Sequence, residues 1–81
     1  ELCSWRLMPG EAAAPTRTPE GTVELLHVTA GTLTLVVADT PPYEMGAGTS
    51  ATFEAHHPHA YRNEGTEPVE LTMAVSVPPV G

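Results

Sequence analysis

The sequence predicts an all-β domain: a small jelly-roll β-barrel or sandwich of about seven to eight short antiparallel strands. Three observations carry that prediction. Nine prolines and seven glycines punctuate only 81 residues. The segments between them alternate apolar and polar residues with the period of a half-buried strand. Helical periodicity is nearly absent.

Each element follows in chain order. Leu2 to Met8 alternates and stops at the turn signal Pro9-Gly10. Residues 11–21 read as a loop, in which Ala12–Ala14 has room for one helical turn at most. Val23–Thr29 and Thr32–Ala38 read as two strands joined at Ala30-Gly31, a tight hairpin whose turn needs the positive φ that Gly31 supplies. Asp39-Thr40-Pro41-Pro42 is a turn, Tyr43–Met45 a short strand, and Gly46-Ala47-Gly48 another turn. Ser50–Glu54, His59–Asn63 and Val69–Val77 complete a set of strands linked by turns. Leu26, Val28, Leu33, Leu35, Phe53, Met73 and Val75 are the expected core. Residues 1–77 form one domain and 78–81 a tail.

Composition narrows the function. Three Lys+Arg against ten Asp+Glu give a net charge of −7, too few cations to neutralise a row of phosphates, so direct nucleic-acid contact is excluded. No apolar run approaches the length of a signal or membrane segment. The single cysteine, Cys3, cannot close an internal disulfide or build a zinc knuckle, which fits a reducing cytoplasmic setting. A start at Glu1 suggests a piece of a longer protein. A chain this short buries roughly 60–65% of its unfolded surface, and exposed sheet edges invite pairing, so a homodimer is expected.

The chemistry concentrates in FEAHHPHAYRNEG, residues 53–65, which holds His56, His57 and His59. The run GAGTSATFEAHHPHAYRNEGTEP resembles the second motif of the cupins, small jelly-roll barrels, through Gly48, Pro58, His59 and Asn63. Glu54 and His56 stand where that motif usually has Pro and Gly. The first cupin motif ends with a glutamate and a glycine seven positions later, kept here as Glu24 and Gly31. Its histidine pair is missing: the corresponding positions are Thr18 and Glu20, or Arg17 and Pro19. The phrases TPEGTVELLHVTAGTLTL and HPHAYRNEGTEP are similar to the C-terminal sensor cupins of bacterial helix-turn-helix regulators. That resemblance implies an intracellular, ligand-sensing and dimerising module whose DNA-binding segment is absent here.

The resemblance implies a ligand pocket around Glu24 and His59, joined by Tyr61, with Arg17 or Thr18 able to reach its mouth. A metal centre of the family uses two histidines, the glutamate and the second-motif histidine. Here Glu24 and His59 remain, with Glu20 and His57 as stand-ins for a divalent transition metal. The resemblance places His59 inward, near Glu24; strand parity then puts Tyr61 on the same face and Arg62 outward, gives His57 the same parity as His59, and turns His27 away from Glu24. His56 and His57 flank a turn at the barrel mouth, and Asn63 braces the turn that follows. No serine has a GxSxG setting, no glycine-rich phosphate loop exists, and no catalytic residue is assigned. Three readings stay open. The first is a non-enzymatic sensor of a small-molecule effector. The second is a small metal-dependent dioxygenase or isomerase, and the third a packed-shut dimerisation module.

Overall fold

The computed structural model describes residues 2–14 and 20–77. Eight strands run in chain order: β1 (Leu2–Leu7), β2 (Ala12–Ala13), β3 (Val23–Ala30), β4 (Leu33–Val37), β5 (Tyr43–Met45), β6 (Ser50–Glu54), β7 (His59–Arg62) and β8 (Val69–Ser76). They form two four-stranded sheets, ordered β1-β8-β3-β6 and β2-β7-β4-β5. Every pairing is antiparallel. The partners nest: β1 with β8, β2 with β7, β3 with β6, β4 with β5. That nesting is a jelly roll, as the strand spacing predicts. Among the described residues, no helix is long and apolar enough to cross a membrane.

The alternation read in the sequence becomes the inner faces of the two sheets. Along β3, burial switches at every residue from Val23 to Thr29, sending Glu24, Leu26 and Val28 inward. Leu26, Val28, Leu33, Leu35 and Met73 are buried as expected, and Phe53 and Val75 pack against them half-buried. Leu7, Met45, Tyr61, Val69 and Leu71 complete the core.

Two local expectations fail. The Ala30-Gly31 step is not a hairpin. β3 pairs with β6 and β8, while β4 pairs with β5 and β7, so the chain turns a corner from one sheet to the other. Gly31 is still required, for two reasons. Its φ is 77°, and a Cβ there would lie 2.4 Å from the Pro68 carbonyl oxygen. The second failure is Ala12–Ala14. Alanine favours helix, but so short a run cannot nucleate one. Ala12 and Ala13 instead extend and pair with Arg62 and Tyr61. The backbone bonds Gly10 N–H to Asn63 O (2.9 Å) and Asn63 N–H to Glu11 O (3.0 Å) extend that pairing. Arg17, Thr18 and Pro19, and the tail 78–81, lie outside the described residues.

Candidate functional site

Two sheets contribute to one buried polar cluster. β3 supplies Glu24, in register with Phe53 on β6 and Val75 on β8. β7 supplies His59, opposite Val37, and Tyr61, opposite Leu35 on β4 and Ala13 on β2. Alternation along both strands turns these three side chains toward each other across the barrel interior. Glu24 is 3% exposed, His59 8% and Tyr61 0%.

The Tyr61 hydroxyl donates to Glu24 Oε1. Burial, then the hydrogen bond to Glu24 and its negative charge, push the Tyr61 phenol far above its ordinary pKa. Tyr61 is therefore a fixed donor, and Glu24 receives the charge-assisted bond that a buried carboxylate needs. His59 is oriented from the other side: Nδ1–H donates to the His57 carbonyl oxygen at 2.8 Å. That contact selects the tautomer, because a carbonyl can only accept. In the neutral ring, Nε2 then carries a lone pair. This atom is buried, has no hydrogen-bond partner among the described residues, and lies 3.8 Å from Glu24 Oε2. Edge-on ring contacts fix the arrangement: His59 with Phe53 at 5.1 Å, His59 with Tyr61 at 5.5 Å, and Tyr61 with Trp5 at 5.6 Å between centroids.

Thr22 was not among the sequence candidates. It is fully buried, and its Oγ1 likewise has no hydrogen-bond partner among the described residues. Its parity with Glu24, two residues on, is the signal that finds it. The Thr22 carbonyl accepts the Ala55 N–H at 2.8 Å, which ties the start of β3 to the turn after β6.

The remaining candidates fall elsewhere. Glu20 is exposed in the turn before β3. The His57 side chain turns away from His59 and faces Glu54, with Nε2 3.5 Å from Oε2. Only the backbone carbonyl of His57 serves the interior. Thr18 lies outside the described residues. His27 is exposed and bonded to Ser50 Oγ at 2.7 Å, as its parity predicts. Arg62 points outward to Glu64. Asn63 braces the following turn. Its side-chain amide donates to the Leu7 and Glu67 carbonyls at 2.9 and 2.8 Å, and its oxygen accepts the Gly65 N–H at 3.0 Å.

The interior donors do not fit a resident transition metal. Glu24 Oε1 is engaged by Tyr61 and His59 Nδ1 by a carbonyl, which leaves Glu24 Oε2 and His59 Nε2 as the free carboxylate and imidazole donors among the described residues. Sites for such ions use three or four protein ligands. Of the positions where the missing histidines would fall, 17–20, only Glu20 offers a ligating side chain, and it is exposed.

Beside the cluster, an open groove of about 320 Å³ runs between β5 and β6, the outer strands of the two sheets. Leu35, Val37, Met45, Ala51 and Phe53 make its wall apolar, with Thr and Ser hydroxyls and Glu44 alongside. Phe53 belongs to both regions: it lines the groove and its ring touches His59.

Comparison with known proteins places this geometry. The family model described as the cupin domain matches residues 3–76. The chain is similar to the crystal structure of the cupin domain of an XRE family transcriptional regulator from Enterobacter cloacae. Identity is 27% and TM-score 0.89, over 96% of this chain and 81% of that one. It is also similar to a cupin-superfamily sugar phosphate isomerase from Silicibacter pomeroyi, at 27% identity and TM-score 0.77, over 96% of this chain and 50% of that one. An HTH_3 family transcriptional regulator from Vibrio cholerae shares the fold at 20% identity and TM-score 0.82, over 96% of this chain and 43% of that one. No curated protein sequence gives a significant match.

Proposed function

The chain belongs to the cupin family, and from that premise we propose that it is a non-enzymatic sensor domain, part of a cytoplasmic bacterial transcription regulator. A small-molecule effector occupies the groove, presses on Phe53 and reaches the His59–Glu24–Tyr61 cluster behind it. The observation that carries this reading is the double role of Phe53, which is groove wall on one side and ring contact of His59 on the other. His59 Nε2 is the free polar atom that an arriving donor can satisfy, in step with the cost of leaving such a buried atom unpaired. An effector shifts the domain only by binding one arrangement of Phe53 and His59 better than another. The apolar wall favours a ligand with an apolar body and one hydrogen-bond donor.

The net charge of −7 leaves DNA contact to another segment of the regulator. A homodimer is supported by the outer face of the β1-β8-β3-β6 sheet. There Leu2 and Leu25, 72% and 45% exposed, flank Ala74 in one row. Sedimentation that shows only monomer at high concentration would contradict the dimer.

The metal-dependent enzyme is the competing reading, supported by similarity to an isomerase of the same superfamily. Two free interior donors weigh against it. Stoichiometric transition metal lost in His59→Ala, together with turnover, would restore it. The sensor reading is tested in a full-length regulator carrying this domain: deletion of the domain changes DNA binding or its response to metabolite extracts. Identical DNA behaviour with and without the domain would overturn it.

A further inference from the structure

We propose that Glu54, His56 and His57 form a binding site for one divalent transition-metal ion at the barrel mouth, separate from the interior cluster. This goes beyond the sensor reading and does not depend on it. The three residues occupy the end of β6 and the turn that follows. Each offers one donor atom, and the three atoms lie within 4.8 Å of one another. Glu54 Oε2 sits between the rings, 3.5 Å from His57 Nε2 and 3.8 Å from His56 Nδ1. Donors around a tetrahedral zinc ion stand about 3.4 Å apart. A bound ion therefore asks for movements of a few tenths of an ångström along both measured edges.

Backbone and ring contacts anchor the turn. The Ala55 N–H bonds the Thr22 carbonyl at 2.8 Å, and Ala55 itself is fully buried. The two imidazole rings lie 4.1 Å apart, tilted by 36°. His56 Nδ1 is shielded from solvent and has no hydrogen-bond partner among the described residues, although it faces the Glu54 carboxylate. An ion between carboxylate and imidazole satisfies that atom. Access is open, because the Glu54 and His57 side chains are 62% and 49% exposed.

Donor chemistry names the class of ion. Two imidazoles and one carboxylate suit zinc, nickel, cobalt or copper, whereas magnesium and calcium need more oxygen ligands. The chain's charge of −7 draws cations to the surface. The His57 carbonyl also holds His59 Nδ1–H, so an ion gripping the His57 ring acts one peptide unit from the interior cluster.

The test uses the tag-free chain and zinc chloride, read by calorimetry and by NMR of the histidine rings. One equivalent binds, and the His56 and His57 ring signals move together from the first addition. Magnesium at the same concentration moves neither. Glu54→Gln, His56→Ala and His57→Ala each weaken zinc binding by about tenfold or more, while His27→Ala leaves it unchanged. The NMR arm needs no variant. The proposal is overturned by an absence of zinc binding, by unchanged affinity in the three variants, or by a first response at His59 rather than at the mouth.

Discussion

The barrel interior and the barrel mouth hold histidines in opposite conditions. His59 is buried, held at Nδ1 by a backbone carbonyl, and enclosed by Phe53 and Tyr61. His56 and His57 ride on a turn and gather around the half-exposed carboxylate of Glu54. A run of near-identical residues thus divides into two jobs. The difference teaches that a histidine's chemistry is set by what its second nitrogen touches and by its access to water, rather than by its neighbours in sequence. The interior cluster is buried and short of free metal ligands. The mouth is open and brings three candidate donors together.

That contrast can be broken most strongly at Phe53. Phe53→Ala should cost about 2–4 kcal/mol in urea unfolding and join the groove to the interior cluster. A cost near zero would mean that Phe53 does not separate the two regions. Tyr61→Phe keeps the ring and removes the donor to Glu24, so it should cost about 1–3 kcal/mol, the penalty of an unsatisfied buried group. Unchanged stability in that variant would show that Glu24 has water or another partner.

The interior also predicts a pH effect. The Tyr61 phenol has a raised pKa in the folded chain, so above about pH 10 the unfolded chain binds fewer protons than the folded one. Stability from this group is complete below about pH 10 and falls above it, by up to about 1.4 kcal/mol per pH unit. The Tyr61 phenolate absorbance, taken as wild type minus Tyr61→Phe, should rise with unfolding. Its appearance in a folded chain would contradict the closed interior. At the mouth, Glu54→Gln and His57→Ala should each change metal-free stability by less than about 0.5 kcal/mol, as exposed pairs do. A larger loss would make the turn a structural element rather than an open site.

Much of the fold was legible because period-two alternation and turn residues are local signals. Glu24 and His59 are placed inward by the cupin motif positions they occupy, and Tyr61 by its parity with His59. The failures are non-local. A glycine of positive φ serves a hairpin and a sheet-to-sheet corner alike, and the choice at Gly31 is made by β3 pairing with β6 and β8. The strand at Ala12–Ala13 exists because β7 offers an edge, which no propensity of two alanines reveals. Phe53 reads as core from its apolarity, but its place between groove and His59 depends on its register with Glu24. His57 shares the parity of His59, yet the turn between them directs its ring to Glu54. Parity counts hold along a strand and fail through a turn.

The most direct test of the central claim, that groove and cluster act as one ligand-responsive unit, is ring NMR of His59 and Phe53 during fragment titrations. The fragments are those that raise the Tm of the wild-type domain. The account predicts that stabilising fragments move the Phe53 and His59 signals together, and that Phe53→Ala abolishes the coupled response. Stabilising fragments that bind while leaving His59 unmoved would contradict it.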